Sequence, residues 1–128
     1  MTDSSLPIKI SKELEEVADL FRDIGMKKNC ALVLVALLQD VDLSSREIER
    51  ITGLRQPEVS LAITELMKRR WIDVVRLITE NKGRPVKIYH IIKKPEDILE
   101  ELREEVVDDY ERRIQEIEHI KEIILKKN

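Results

Sequence analysis

The 128-residue sequence predicts a mainly α-helical chain carrying one small β-hairpin. Three observations point there. Apolar residues recur at steps of three and four along most of the chain. Ser and Pro stand where helices would begin, and Gly where they would stop. Two runs rich in Val, Ile and Thr flank Glu80-Asn81-Lys82-Gly83-Arg84-Pro85, a stretch with the residues of a turn.

Residues 1–10 are expected to be a flexible lead, with Pro7 the only local constraint. Ser11 can cap a first helix whose Leu14, Val17, Ala18, Phe21 and Ile24 fall on one face, and Gly25 ends it. A second helix, from about Lys28 to Gln39, is apolar nearly all round between Ala31 and Leu38, so it should be the buried post of the core. Ser44-Ser45-Arg46-Glu47 is a capping box, with Leu43 and Ile48 at the two staple positions. The helix it starts runs to Thr52, and Gly53 provides the left-handed stop. The next helix starts at Gln56-Pro57, where a proline's missing amide costs nothing, and reaches about Arg70. Strands over Ile72–Thr79 and Val86–Ile92 make the hairpin. Pro95 then opens a helix of about 33 residues, on the order of 50 Å long.

Composition narrows the function. The chain is 38% charged and only 3% aromatic, which suits long exposed helices better than an aromatic-lined substrate pocket. One cysteine, Cys30, allows no internal disulfide, and within an apolar run it is expected to be inert packing. His90 and His119 are far apart with no clustered carboxylate or thiol, so no metal and no cofactor is expected. The pairs Glu104-Glu105 and Asp108-Asp109 read as a solvated face. No nucleophile–base arrangement or phosphate-cradling glycine loop is present, so the chain is not expected to be an enzyme. With no signal core and no apolar run long enough to span a bilayer, a cytoplasmic protein without membrane contact is expected.

Charge is unevenly distributed. Residues 46–94 hold 12 Lys and Arg against 6 Asp and Glu, a net +6, whereas residues 95–128 hold 6 against 12, a net −6. A basic middle between acidic flanks is the footprint of a local phosphate-binding surface.

Two short helices joined around Gly53 and followed by a hairpin have the order of a winged helix-turn-helix. Val59, Ala62, Ile63, Leu66 and Met67 would seat the second of these helices. Its opposite face offers Gln56, Pro57, Ser60, Leu61, Thr64 and Lys68 to a major groove. Gln56 can donate to and accept from an adenine edge, and Arg55 can pair with guanine or phosphate. Ser60 and Thr64 can bind bases or phosphates, Leu61 can meet a thymine methyl, and Lys68, Arg69 and Arg70 can bind backbone. Ser45 is a further expected DNA contact, and the N-terminus of the reading helix adds its own attraction for phosphate. The basic tip Lys82-Gly83-Arg84-Pro85 brings Lys82 and Arg84 to an adjacent minor groove, and Lys87 reaches phosphate. Tyr89 is expected in the core.

The segment from Ser44 to Ile72, "SSREIERITGLRQPEVSLAITELMKRRWI", and the wing "NKGRPVKIY" from Asn81 to Tyr89 resemble archaeal and bacterial winged-helix transcriptional regulators of the MarR, ArsR and TrmB-like group. The resemblance covers about Asn29 to Ile92. It implies double-stranded DNA as partner, with contacts at Gln56, Pro57, Ser60, Leu61 and Thr64 and at Arg84 in the wing. Arg70-Trp71 departs from that pattern, in which a glycine commonly precedes the first wing strand. Arg70 must therefore be left-handed, or the turn differently shaped. No effector-binding domain is evident, and a small-molecule effector is left open.

Three parts are thus expected: a lead over 1–10, a DNA-binding domain over 11–92, and a C-terminal helix over 93–128 for dimerisation. On that helix Leu99, Leu102, Val106, Tyr110, Ile114, Ile117, Ile120 and Ile124 form a nearly straight apolar stripe. A stripe of this kind needs a partner, and a homodimer through the terminal helices would set two reading helices about 34 Å apart. The expected function is a homodimeric regulator, a repressor by occupancy, on a near-palindromic site. The alternative is a winged helix serving transcription or replication machinery as an interaction module, binding DNA weakly and without sequence preference. A single-strand or RNA binder is disfavoured by the lack of an aromatic stacking array.

Overall fold

A computed structural model describes residues 10–79 and 83–126. The expectations for the lead over residues 1–9 and for Lys82 lie outside the described residues. The chain divides into two units, Met1–Lys94 and Pro95–Asn128.

The first unit runs α1 (Lys12–Asp23), α2 (Lys28–Leu37), β1 (Leu43–Ser44), α3 (Ser45–Thr52), α4 (Gln56–Lys68), β2 (Ile72–Ile78) and β3 (Val86–Ile91). Ser11 caps α1, its hydroxyl accepting from the Leu14 amide at 3.2 Å. Gly25, at φ +112°, turns the chain out of that helix. α2 is the post of the core: Ala31 and Val33 to Leu37 are wholly buried, and the helix packs against α1, α3 and α4. Each fully buried aliphatic side chain there contributes about 1.5–3 kcal/mol relative to exposure.

The α3 cap has both halves of its box. The Ser44 hydroxyl accepts from the Glu47 amide at 3.2 Å, and the Glu47 carboxylate accepts from the Ser44 amide at 2.9 Å. Leu43 and Ile48, the two staple residues, are both fully buried. Gly53 ends α3 in the left-handed region at φ +77°. The Glu58 carboxylate accepts from the Arg55 amide at 2.9 Å and closes the open start of α4. Arg70 takes the left-handed conformation, at φ +62°, in the turn that leads into β2.

The sheet has three strands rather than two, in the order β1-β3-β2 and antiparallel throughout. β1 pairs Leu43 with Tyr89 and Ser44 with Ile88. The hairpin register runs from Ile72 opposite Ile91 to Ile78 opposite Val86, with a bulge between Val74 and Arg76. That extra residue increases the local twist of the wing. Trp71 is fully buried at the root of the hairpin, where its carbonyl accepts from the Ile92 amide at 2.8 Å. Tyr89 is buried as well.

The second unit is a single helix, α5 (Pro95–Lys126). Ile98 and Leu102 are buried, and from Arg103 to Lys126 no residue is. Leu102, at 6% exposure, is the buried member of the expected dimerisation set. The other seven of that set, Leu99, Val106, Tyr110, Ile114, Ile117, Ile120 and Ile124, are exposed.

Candidate nucleic-acid interface

α4 is held by its inner face. Val59, Ala62, Ile63 and Leu66 are buried and Met67 is partly so, which leaves the other face outward. On that face Arg55, Gln56, Pro57, Ser60, Leu61, Thr64 and Lys68 are all exposed. Leu61 is 71% exposed, a large apolar side chain with little intramolecular cover. The Thr64 hydroxyl donates to the Ser60 carbonyl at 3.0 Å, so its proton is engaged while its lone pairs stay available as acceptors.

Beside this helix the wing and α3 enclose an open groove of about 860 Å³. Ser45, Gln56, Arg84 and Lys87 line it, so four of the expected contact residues come from three elements to one place. Arg46 and Arg50 line it too. They are four residues apart and so share one face of α3. Neither was among the expected contacts. Their spacing just inside the capping box was the available signal, but only the pairing of β1 with β3 turns that face toward the wing. With Arg84 and Lys87 they give the groove four cations, against Glu47 and Glu49 in its lining. Glu47 is committed to the cap, which lowers its weight as a repelling charge.

One further expectation needs correction, that for His90. Arg69 is exposed, and its guanidinium lies over the Trp71 ring, 4.3 Å from the centroid. A cation so placed is held by the ring's negative face. His90, expected without neighbouring carboxylates, has two. Nε2 is 3.1 Å from Asp40 Oδ1 and Nδ1 is 2.6 Å from Asp42 Oδ1, although Nδ1 is misaligned for a hydrogen bond. Arg76 Nη2 meets the other oxygen of Asp42 at 3.3 Å. These residues lie about fifty positions apart, and the sheet brings them together. The two carboxylates address opposite ring nitrogens, so they cannot close around one ion. Among the described residues no group of His, Cys, Asp and Glu is arranged to hold a metal.

Cys30 is 6% exposed, and its thiol donates weakly to Glu65 Oε1 at 3.5 Å. Burial, reinforced by the Glu65 charge, pushes the thiol up to about 11. Glu65 itself is held below the usual carboxylate range by its hydrogen bond from Lys27, 3.0 Å away. A protonated, covered thiol is a packing element.

No family model matches the sequence, and no curated protein is significantly similar to it. Solved structures do match. A possible transcriptional regulator from Methanosarcina mazei Go1 superposes with a TM-score of 0.59 at 17% identity, covering 93% of this chain and 95% of that one. NadR in complex with 4-hydroxyphenylacetate superposes with a TM-score of 0.51 at 20% identity, covering 99% and 94%. At this identity the likeness is one of fold: the chain has a winged helix-turn-helix architecture that extends over nearly the whole of both similar proteins. Among the described residues, no helix is long and apolar enough to cross a membrane.

Proposed function

We propose that this chain is a sequence-specific, double-stranded DNA-binding transcriptional regulator, not an enzyme. It acts as a homodimer and represses by occupying a near-palindromic site. The observation that carries the reading is the pairing of two surfaces. The outward face of α4 presents Gln56, Ser60, Leu61 and Thr64, groups able to address base edges and thymine methyls. The groove beside it holds Arg46, Arg50 and Lys87, which suit the phosphates flanking such a groove, together with Arg84 at the wing tip. The fold shared with a possible transcriptional regulator supports the same reading.

In this reading Arg55, Gln56, Pro57, Ser60, Leu61 and Thr64 enter the major groove. Ser45, Arg46, Arg50 and Lys68 take phosphates, and the tip with Lys82 and Arg84 reaches the minor groove. α5 supplies the dimer contact through Leu99, Val106, Tyr110, Ile114, Ile117, Ile120 and Ile124.

Selection of bound fragments from random duplex DNA tests this directly. The expected result is one motif with two half-sites a helical turn apart, and a Gln56→Ala variant whose preference relaxes at one or two base positions. Binding without a motif, at similar affinity for every duplex, would turn the assignment toward the interaction module.

A further inference from the structure

Resting on the homodimer reading, we infer that α5 pairs with α5 of a second copy in the antiparallel direction. Two observations on this helix carry it. From Arg103 to Lys126 no residue is buried, yet Val106, Tyr110, Ile114, Ile117, Ile120 and Ile124 follow one another at steps of three and four. Tyr110, the second residue of that stripe, is 66% exposed. Isolated helices are marginal in water, and a continuous apolar stripe on a charged helix is stable when another helix covers it.

Charge gives the direction. Residues 95–110 contain eight Asp and Glu and one Arg, a net −7, while residues 111–126 contain four acidic and four basic residues, a net of zero. Parallel pairing would lay one −7 segment along another over their full length. Antiparallel pairing lays each acidic half against the half that holds Arg112, Arg113, Lys121 and Lys126. It also sets Glu96 and Asp97, in the first turn of each helix, toward Lys126 in the partner's last turn. The stripe continues through both halves, so it meets itself when reversed about a two-fold axis. A surface with that symmetry fits a copy of itself.

Double electron–electron resonance on spin-labelled full-length protein tests the direction. The labels go at the exposed positions Asp97→Cys and, separately, Glu122→Cys, each in a Cys30→Ala background. Sedimentation gives the oligomeric state, and circular dichroism confirms the helix content. In an antiparallel pair each label lies from its own copy at twice its distance from the two-fold axis. The two measured distances must then sum to about 75 Å whatever the stagger, from about 1.5 Å per residue over the intervening segment. In a parallel pair both distances are short, about 20 Å or less, because each label sits beside its copy across an interaxial gap of about 10 Å. A dimer with two short distances overturns the antiparallel inference and leaves the homodimer reading standing. A monomer in sedimentation at the concentrations that saturate DNA overturns both.

Discussion

Arg84→Ala is the sharpest perturbation of the proposed interface, because its effect can be worked out before any operator is known. Arg84 lines the cationic groove with Arg46, Arg50 and Lys87, and its side chain is exposed. Removing it should leave the fold intact and subtract one phosphate or minor-groove contact per protomer. The logarithm of DNA affinity falls linearly with the logarithm of salt, with a slope of about −0.9 for each neutralised phosphate. A dimer losing two contacts should therefore show a slope flatter by about 1.8, and a monomer by about 0.9. Between roughly 50 and 200 mM salt, a slope change of 1.8 means that the variant loses about tenfold less affinity than the parent. Fluorescence anisotropy with a labelled duplex of about thirty base pairs, at three salt concentrations, reads this out. An unchanged slope with a normal thermal transition would refute the placement of Arg84 against DNA. A change near 0.9 would instead refute two-fold engagement.

Other consequences follow from particular backbone and side-chain positions. Arg70 is a non-glycine residue at φ +62°, so Arg70→Gly should raise stability by about 1 kcal/mol, seen as an upward shift of the thermal midpoint of roughly 4–8 °C. A lowered midpoint would mean that the arginine side chain contributes more than the strain costs. Ser44→Ala removes the hydroxyl half of the α3 cap and should cost about 1 kcal/mol in urea unfolding, with an unchanged denaturant slope. With its thiol raised to about 11, Cys30 should react with a disulfide reagent at neutral pH at least a hundredfold more slowly than a free thiol, whose ordinary value is about 8.5. Because the folded value lies above the unfolded one, the same thiol contributes stability fully below about pH 8.5, and this is lost as pH rises toward 11. Cys30→Ala should flatten that alkaline limb, and rapid labelling of the native protein would contradict this account.

Local signals made the helix-turn-helix readable in the sequence. Caps and stops act within one turn of a helix, so Ser11, Ser44 with Glu47, Gly53 and Pro57 each marked a boundary that the structure keeps. The apolar run of α2 announced a buried post because no register of it could face water. Non-local pairings were hidden. β1 is two residues long, too short for any periodicity, and its membership of the sheet comes only from Tyr89 and Ile88 opposite it. The carboxylates around His90 and the turning of Arg46 and Arg50 toward the wing follow from that same pairing. Arg69 looked like one more basic residue in a run of three, since nothing in its neighbours foretold that the adjacent Trp71 would offer it a ring face. Leu102 shares the spacing of the α5 stripe, and periodicity alone does not distinguish a residue buried within the chain from one left open.

Ser44 closes one end of a strand and begins a helix, with its backbone in the ladder opposite Ile88 and its hydroxyl on the Glu47 amide. The hinge between wing and reading head is thereby removed. Tilting the hairpin drags the first turn of α3 with it, and with that turn the two arginines it carries. In the proposed reading, head and wing would then meet a duplex as one gauge, with a spacing set largely when the protein folds.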